Sequence, residues 1–167
     1  MKLIKLLNPE NVTEEELSHF RLRDAARAVV LDRDGLIALF HVTEKGYYKL
    51  PGGGVEDGED KMTALARECK EEIGCEVEVV GELGIVVEYR KIFKLKQTSY
   101  CYLAKVKWDK GRPNFTDYEN ENGFKLLWLP YAEALKLVSG SKANNVEGRS
   151  YITSRDTAIL MEADLIS

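Results

Sequence analysis

From Gly53 to Cys75 the chain reads GGVEDGEDKMTALARECKEEIGC. The pattern predicts a glycine turn followed by a helix over 60–73, which Gly74 ends. The stretch holds seven acids (Glu56, Asp57, Glu59, Asp60, Glu68, Glu71, Glu72) against three bases (Lys61, Arg67, Lys70). Its net charge of −4 equals that of the whole chain, so everything outside it balances to zero. Carboxylates gathered this densely repel one another unless a cation is held among them.

On a helical wheel at about 100° per residue, Leu65, Cys69, Met62, Ile73 and Ala66 share an arc of roughly 100° that is expected to face the core. Glu72 falls beside that arc, Glu68 one step further round, and Glu71 next, with Arg67 one turn behind Glu71. Three carboxylates on one face at the core's edge suit a hard divalent cation, and Arg67 is placed to orient Glu71. A merely solvated acidic face is the plain alternative. Gly52-Gly53-Gly54 lets backbone approach a ligand closely. No Gly-Lys-Ser/Thr follows, which excludes a P-loop. The acids also lack the alternation of an EF-hand loop, which disfavours a simple Ca²⁺ buffer.

The bulk numbers set the frame. At 167 residues, 44% hydrophobic and 31% charged, the chain fits a single domain over 1–167 with a sizeable core. A mildly acidic balance argues against a general nucleic-acid or anionic-membrane surface. No apolar run approaches a membrane span, and MKLIKLLNPENV is too short and interrupted for a secretory signal. Three cysteines without a CxxC pair read as reduced, buried thiols in a cytoplasmic protein.

Outward from the acidic helix, strands are expected at 25–31, 36–42 and 47–50, with Asp32 to Gly35 turning a hairpin. One or two more are expected over 76–88, with others over 98–108 and 124–129. Thr13 to Glu16 forms a capping box for a short helix through Phe20. Further helices are expected over 131–138, entered through Pro130, and after a cap at Thr153 to Asp156. Residues 111–123 read as a loop of about a dozen residues. Interleaved strands and helices with hairpins point to an α/β fold with a mixed sheet flanked by helices.

Gly53, five residues, Glu59, seven residues, then Arg67-Glu68-Cys69-Lys70-Glu71-Glu72-Ile73-Gly74-Cys75 resembles the signature box of the Nudix hydrolases. Cys69 and Cys75 stand where that pattern has aliphatic residues, and a buried thiol acts as a small hydrophobe. Tyr48-Lys49-Leu50-Pro51-Gly52 is similar to the family's usual lead-in. The resemblance covers about residues 24–140 and implies a Nudix-type α/β/α sandwich, the box forming a loop-helix-loop. It also implies hydrolysis of a diphosphate linkage in a nucleoside diphosphate derivative, with Mg²⁺ as cofactor and Mn²⁺ able to substitute.

On that resemblance Gly53, Glu68, Glu71 and Glu72 are the expected metal residues, with Arg67, Glu71 and Glu72 catalytic. The general base is a box glutamate or an acid of the distal loop, where Glu119 and Glu121 stand. Gly52, Gly53 and Glu59 are expected near the substrate. Arg27, a charge between Ala26 and Ala28, is expected to meet a phosphate or to lie on an edge strand. Tyr48, with Tyr47, Tyr100 and Tyr102, offers a face to a base or simply packs in the core. Arg149 is a weaker substrate candidate, and His19 and His41 carry no ligand spacing. The expected partner is a small nucleotide, such as a nucleoside triphosphate (ordinary or oxidised) or a nucleotide sugar such as ADP-ribose, and a homodimer is open. The competing class is a catalytically weak Nudix-fold module that binds a nucleotide and regulates.

Overall fold

A computed structural model describes residues 1–164. Eight strands form a mixed sheet: β1 (Leu3–Leu7), β2 (Arg21–Leu31), β3 (Ile37–Val42), β4 (Tyr47–Lys49), β5 (Gly52–Gly54), β6 (Val77–Arg90), β7 (Leu95–Val106) and β8 (Phe124–Leu129). Their order is β1-β6-β7-β2-β3-β4, with β5 added beside β2 and β8 beside β3. β1 runs parallel to β6 and β2 parallel to β7, while the other pairs are antiparallel. The helices are α1 (Glu14–Ser18), α2 (Lys61–Ile73), α3 (Asp117–Glu121), α4 (Tyr131–Ser139) and α5 (Thr153–Asp164). This is the mixed sheet flanked by helices that the pattern predicts, in the α/β class the resemblance implies.

Two apolar layers fix the sandwich. Ala26, Ala28, Val30, Ala38 and Phe40 pack against Ala64, Leu65, Cys69 and Ile73 of α2. On the opposite face Val29, Ile37, Leu39, Cys101 and Leu103 pack against Ala134 and Val138 of α4 and Ile159 and Leu160 of α5. The alternation of side chains along β2 sends odd and even residues to different layers. β2 and β3 meet only at Leu31 and Ile37. Beyond that point they diverge, β2 pairing with β5 and β3 with β4 and β8. The opening between them is where the candidate site forms.

Several expectations need correction. The glycines are not a free turn: Gly52–Gly54 form β5, bonded to Ala25–Arg27. Gly52 has φ +128°, and a Cβ there would lie 2.2 Å from the Ala26 carbonyl oxygen, so only glycine permits this approach. β1 was hidden in the N-terminal run because its pairing with β6 is long-range. Residues 111–123 contain α3, whose capping box joins Thr116 and Glu119. Thr153 does not cap a helix start. A π-helical turn at Gly148–Ile152 runs directly into α5, and the Thr153 hydroxyl is buried without a partner.

The wheel also turns. Ala64, Leu65, Cys69, Glu72 and Ile73 are the buried residues of α2, whereas Met62 and Ala66 are exposed. Glu72 therefore stands in the middle of the buried arc, not beside it. The arc lies about 60° from its expected centre, because β5 and β2 cover the Glu72 side of the helix.

Candidate active site

Local chemistry sets α2 in place. The Asp60 side chain accepts the Thr63 N–H at 2.8 Å, and Gly74 closes the helix in a left-handed conformation, φ +66°. Between these caps Glu72 is 2% exposed. Its carboxylate accepts the Gly52 N–H at 2.8 Å and faces the Lys49 ammonium at 3.4 Å. Burial pushes its pKa up to about 7, although Lys49 and the Gly52 N–H both favour the charged form. The charge of a carboxyl in this setting is relieved either by taking up a proton or by a neighbouring cation.

Arg67 gathers the other acids. It donates to both Glu59 oxygens at 2.9 and 3.0 Å, to Glu68 Oε1 at 3.0 Å and to the Gly54 carbonyl at 3.1 Å. Glu71 Oε2 lies 3.5 Å away. The hydrogen bond to Arg67 holds the Glu59 carboxyl below its usual range. The Glu68 carboxylate packs onto Gly53, where a Cβ would meet Oε1 at 2.3 Å. Glu68, Glu71, Glu72, Arg67, Glu59, Gly52 and Gly53 are thus brought together as expected. Arg67 reaches Glu59 and Glu68 more closely than Glu71, so it does more than orient Glu71.

The distal loop is docked on the same helix. Asn114 donates to the Glu71 carbonyl at 2.7 Å, Gly111 to the Gly74 carbonyl at 3.1 Å, and Phe115 packs edge-on to Phe40. Glu119 is near enough to raise the Glu72 pKa, but its carboxylate accepts the Thr116 N–H at 2.7 Å as a helix cap. Glu121 is exposed.

On the β2 side of Gly52 lies a cavity of about 220 Å³. Arg27 lines it, 5% exposed, donating to Ser99 Oγ and to the Gly52 carbonyl, both at 3.2 Å. Arg27 is therefore not an edge-strand charge. Gly52 links the two regions, with its N–H on Glu72 and its carbonyl on Arg27. Tyr48 is not in this cavity: it stacks on His41 with ring centroids 4.3 Å apart. Its neighbour Tyr47, on the other face of β4, lines the cavity instead. Tyr102 is buried, and Tyr100 lies under the Lys61 ammonium. Arg149 reaches the Ala143 carbonyl.

Sequence reasoning missed Arg23, Lys49, Arg90 and Arg155, which share the cavity wall. A signal was present for one of them. Arg21, Arg23 and Arg27 alternate along β2 and so share one face of the strand. Arg90 and Arg155 carry no such sign, because they meet only through Glu88, at 2.8 and 3.7 Å.

The donors suit a hard divalent ion, being carboxylate oxygens, one of them buried. As the side chains stand, no three carboxylate, imidazole or thiol groups among the described residues form a ready metal cage. No helix among those residues is long and apolar enough to cross a membrane.

A family model described as a NUDIX domain matches residues 21–148. The RNA pyrophosphohydrolase of a Nitratiruptor species is 36% identical over 107 residues, covering 55% of this chain and 64% of that protein. Nudix hydrolase 7 of Arabidopsis thaliana is 30% identical over 107 residues, covering 63% of this chain and 34% of its own length. The match thus spans less than two thirds of each relative. Among solved structures, the MutT protein from Methanosarcina mazei Go1 superposes with a TM-score of 0.59 at 17% identity, covering 89% of this chain and 98% of that one. At that identity the likeness is one of fold.

Proposed function

The chain belongs to the NUDIX family, and from that premise we propose that it hydrolyses a diphosphate linkage in a small nucleoside diphosphate derivative, using Mg²⁺ held by the box. One observation carries the reading. Glu72 is buried in the middle of the α2 face, against the Gly52 N–H, with only the Lys49 ammonium 3.4 Å away to compensate it. Such burial is costly for a carboxylate unless a cation offsets it.

Glu68, Glu71 and Glu72 would hold the ion, with the Gly53 backbone beside Glu68. Mg²⁺, or Mn²⁺ on the same oxygen donors, screens phosphate charge and lowers the pKa of a bound water. Arg67 bridges Glu68 and Glu71, and Glu59 holds Arg67 in place. Glu119 uses its carboxylate as a helix cap, so the half-exposed Glu71 is better placed to accept a proton from water.

The test is turnover with Mg²⁺ on a panel of nucleoside triphosphates, ADP-ribose, dinucleoside polyphosphates and 5′-triphosphorylated RNA. Small nucleotides are the expected substrates; activity on the RNA alone would overturn that class. Glu72→Gln removes several kcal/mol of metal-mediated stabilisation, so kcat should fall at least about a hundredfold while the fold is retained. Full activity in that variant would overturn the ligand assignment. Tight nucleotide binding without turnover would make the chain a binding module instead.

A further inference from the structure

The cavity beside Gly52 is lined by five basic side chains, Arg23, Arg27, Lys49, Arg90 and Arg155, against one carboxylate, Glu147. Three of them have carboxylate partners. Lys49 faces Glu72 at 3.4 Å. Arg90 pairs with Glu88 at 2.8 Å and Glu147 at 2.5 Å. Arg155 pairs with Asp156 at 2.6 Å and faces Glu88 at 3.7 Å. The other two are bonded only to neutral acceptors: Arg23 to the Gln97 side-chain oxygen at 2.6 Å, and Arg27 to Ser99 Oγ and the Gly52 carbonyl. The Arg90 Nε is also buried with no partner.

Arg27 is 5% exposed and, among the described residues, has no carboxylate in direct contact. Asp156 and Glu88 act on it only from further off, and Arg155 and Arg90 oppose them. An anion in the cavity would give it the direct partner it lacks, with the exposed Arg23 at the mouth beside it. Burial, and then the Arg155 charge, push the Arg27 pKa down to about 10. A phosphoryl monoester carries about −1.5 to −2 at pH 7 and offers acceptor oxygens that match the guanidinium fork. The volume, about 220 Å³, is below the roughly 300–1,000 Å³ of pockets that enclose whole ligands. It therefore takes a part of a molecule whose remainder extends past Gly52 and Gly53 toward the box.

We propose that Arg23 and Arg27 form a subsite for a second phosphoryl group of the substrate, distinct from the bond that is cut. This rests on reading the box as a diphosphate-hydrolysing site. It selects substrates with a phosphoryl group beyond the cleaved linkage over those that end in an uncharged group.

Two measurements test it. The metal-free protein in excess EDTA is titrated calorimetrically with inorganic phosphate, a probe that cannot then bind through Mg²⁺. Saturable binding is expected, weakened about tenfold or more in Arg23→Gln and in Arg27→Gln. Arg23 is exposed, so its variant keeps the test valid where the buried Arg27→Gln does not fold. No saturable binding, or unchanged affinity in Arg23→Gln, overturns the subsite. In the Mg²⁺-loaded protein, inorganic phosphate should then compete with the substrate, raising KM at constant kcat, and Arg23→Gln should relieve that competition. Phosphate that binds without competing marks a free-phosphate effector site and overturns the substrate assignment. A chain that hydrolyses nothing on the panel still reports through the first titration, so the two readings fail separately.

Discussion

On one side of Gly52, Arg67 holds Glu59, Glu68 and Glu71 in a cluster that opens from within outward, the side chains of Glu59 and Glu68 11% and 15% exposed, Arg67 25% and Glu71 45%. On the other side, Arg90 and Arg155 hold Glu88 and Asp156 almost fully out of water. Both clusters mix guanidinium and carboxylate, yet water treats them differently. At the open end of the first cluster, the Arg67–Glu71 pair is of the exposed kind, which contributes about 0–1 kcal/mol. Buried pairs depend on every member, because removing one strands the others. The first cluster suits a place where carboxylates must accept a cation. The second suits a rigid wall whose charges are fixed before a ligand arrives.

The strongest way to break this contrast is Glu88→Ala. Glu88 is fully buried, accepts from Arg90 at 2.8 Å and from Gln97 at 2.6 Å, and faces Arg155 at 3.7 Å. Its removal leaves two buried guanidiniums short of a counter-charge and should cost about 3–5 kcal/mol, read as a lower urea midpoint. A loss under about 1 kcal/mol would mean that the wall behaves like the exposed cluster and is not preorganised.

The two regions also differ in how far sequence revealed them. The box was legible because its chemistry is local: Arg67, Glu68, Glu71 and Glu72 lie within six residues, and a helix turns that spacing into geometry. Even so, the depth of Glu72 was misjudged, since β5 and β2, not the helix's own periodicity, decide which arc is covered. The wall was illegible for the opposite reason. Arg27, Glu88, Arg90 and Arg155 come from β2, β6 and α5, and it takes the parallel pairing of β2 with β7, the hairpin of β6 with β7 and the packing of α5 on the sheet to bring them together. β1 escaped notice on the same ground. The alternation Arg21, Arg23, Arg27 was the one local trace of the wall, and it shows on which face of β2 to look.

Acid should separate the regions by a smaller margin. Burial alone would raise the Glu88 pKa, but Arg155, Arg90 and Arg27 outweigh it and hold the carboxyl below its ordinary range. A depressed folded-state pKa stabilises the fold above the unfolded value, about 4.3, and that stabilisation is lost as pH falls through the folded value. The wild-type Tm should therefore drop between pH 5 and pH 3 more steeply than that of Glu88→Gln, which starts lower and changes less. Parallel curves would remove Glu88 as the acid-sensitive group.

The smallest effect is expected at Glu71, and its smallness is the point. Its ion pair with Arg67 spans 3.5 Å at i,i+4, with the arginine N-terminal, the weaker of the two orientations. Glu71 also lies in the last turn of α2, where the helix dipole disfavours an acid. These contributions nearly cancel, so Glu71→Gln should shift stability by less than about 0.5 kcal/mol. The same substitution should lower Mg²⁺-dependent turnover, since it removes an oxygen charge proposed to serve the cation and the attacking water. Stability unchanged with turnover lost would show that the exposed cluster is kept for chemistry. A stability loss above about 1 kcal/mol would place Glu71 among the structural acids, and the proposed division between a cation side and an anion side would no longer hold.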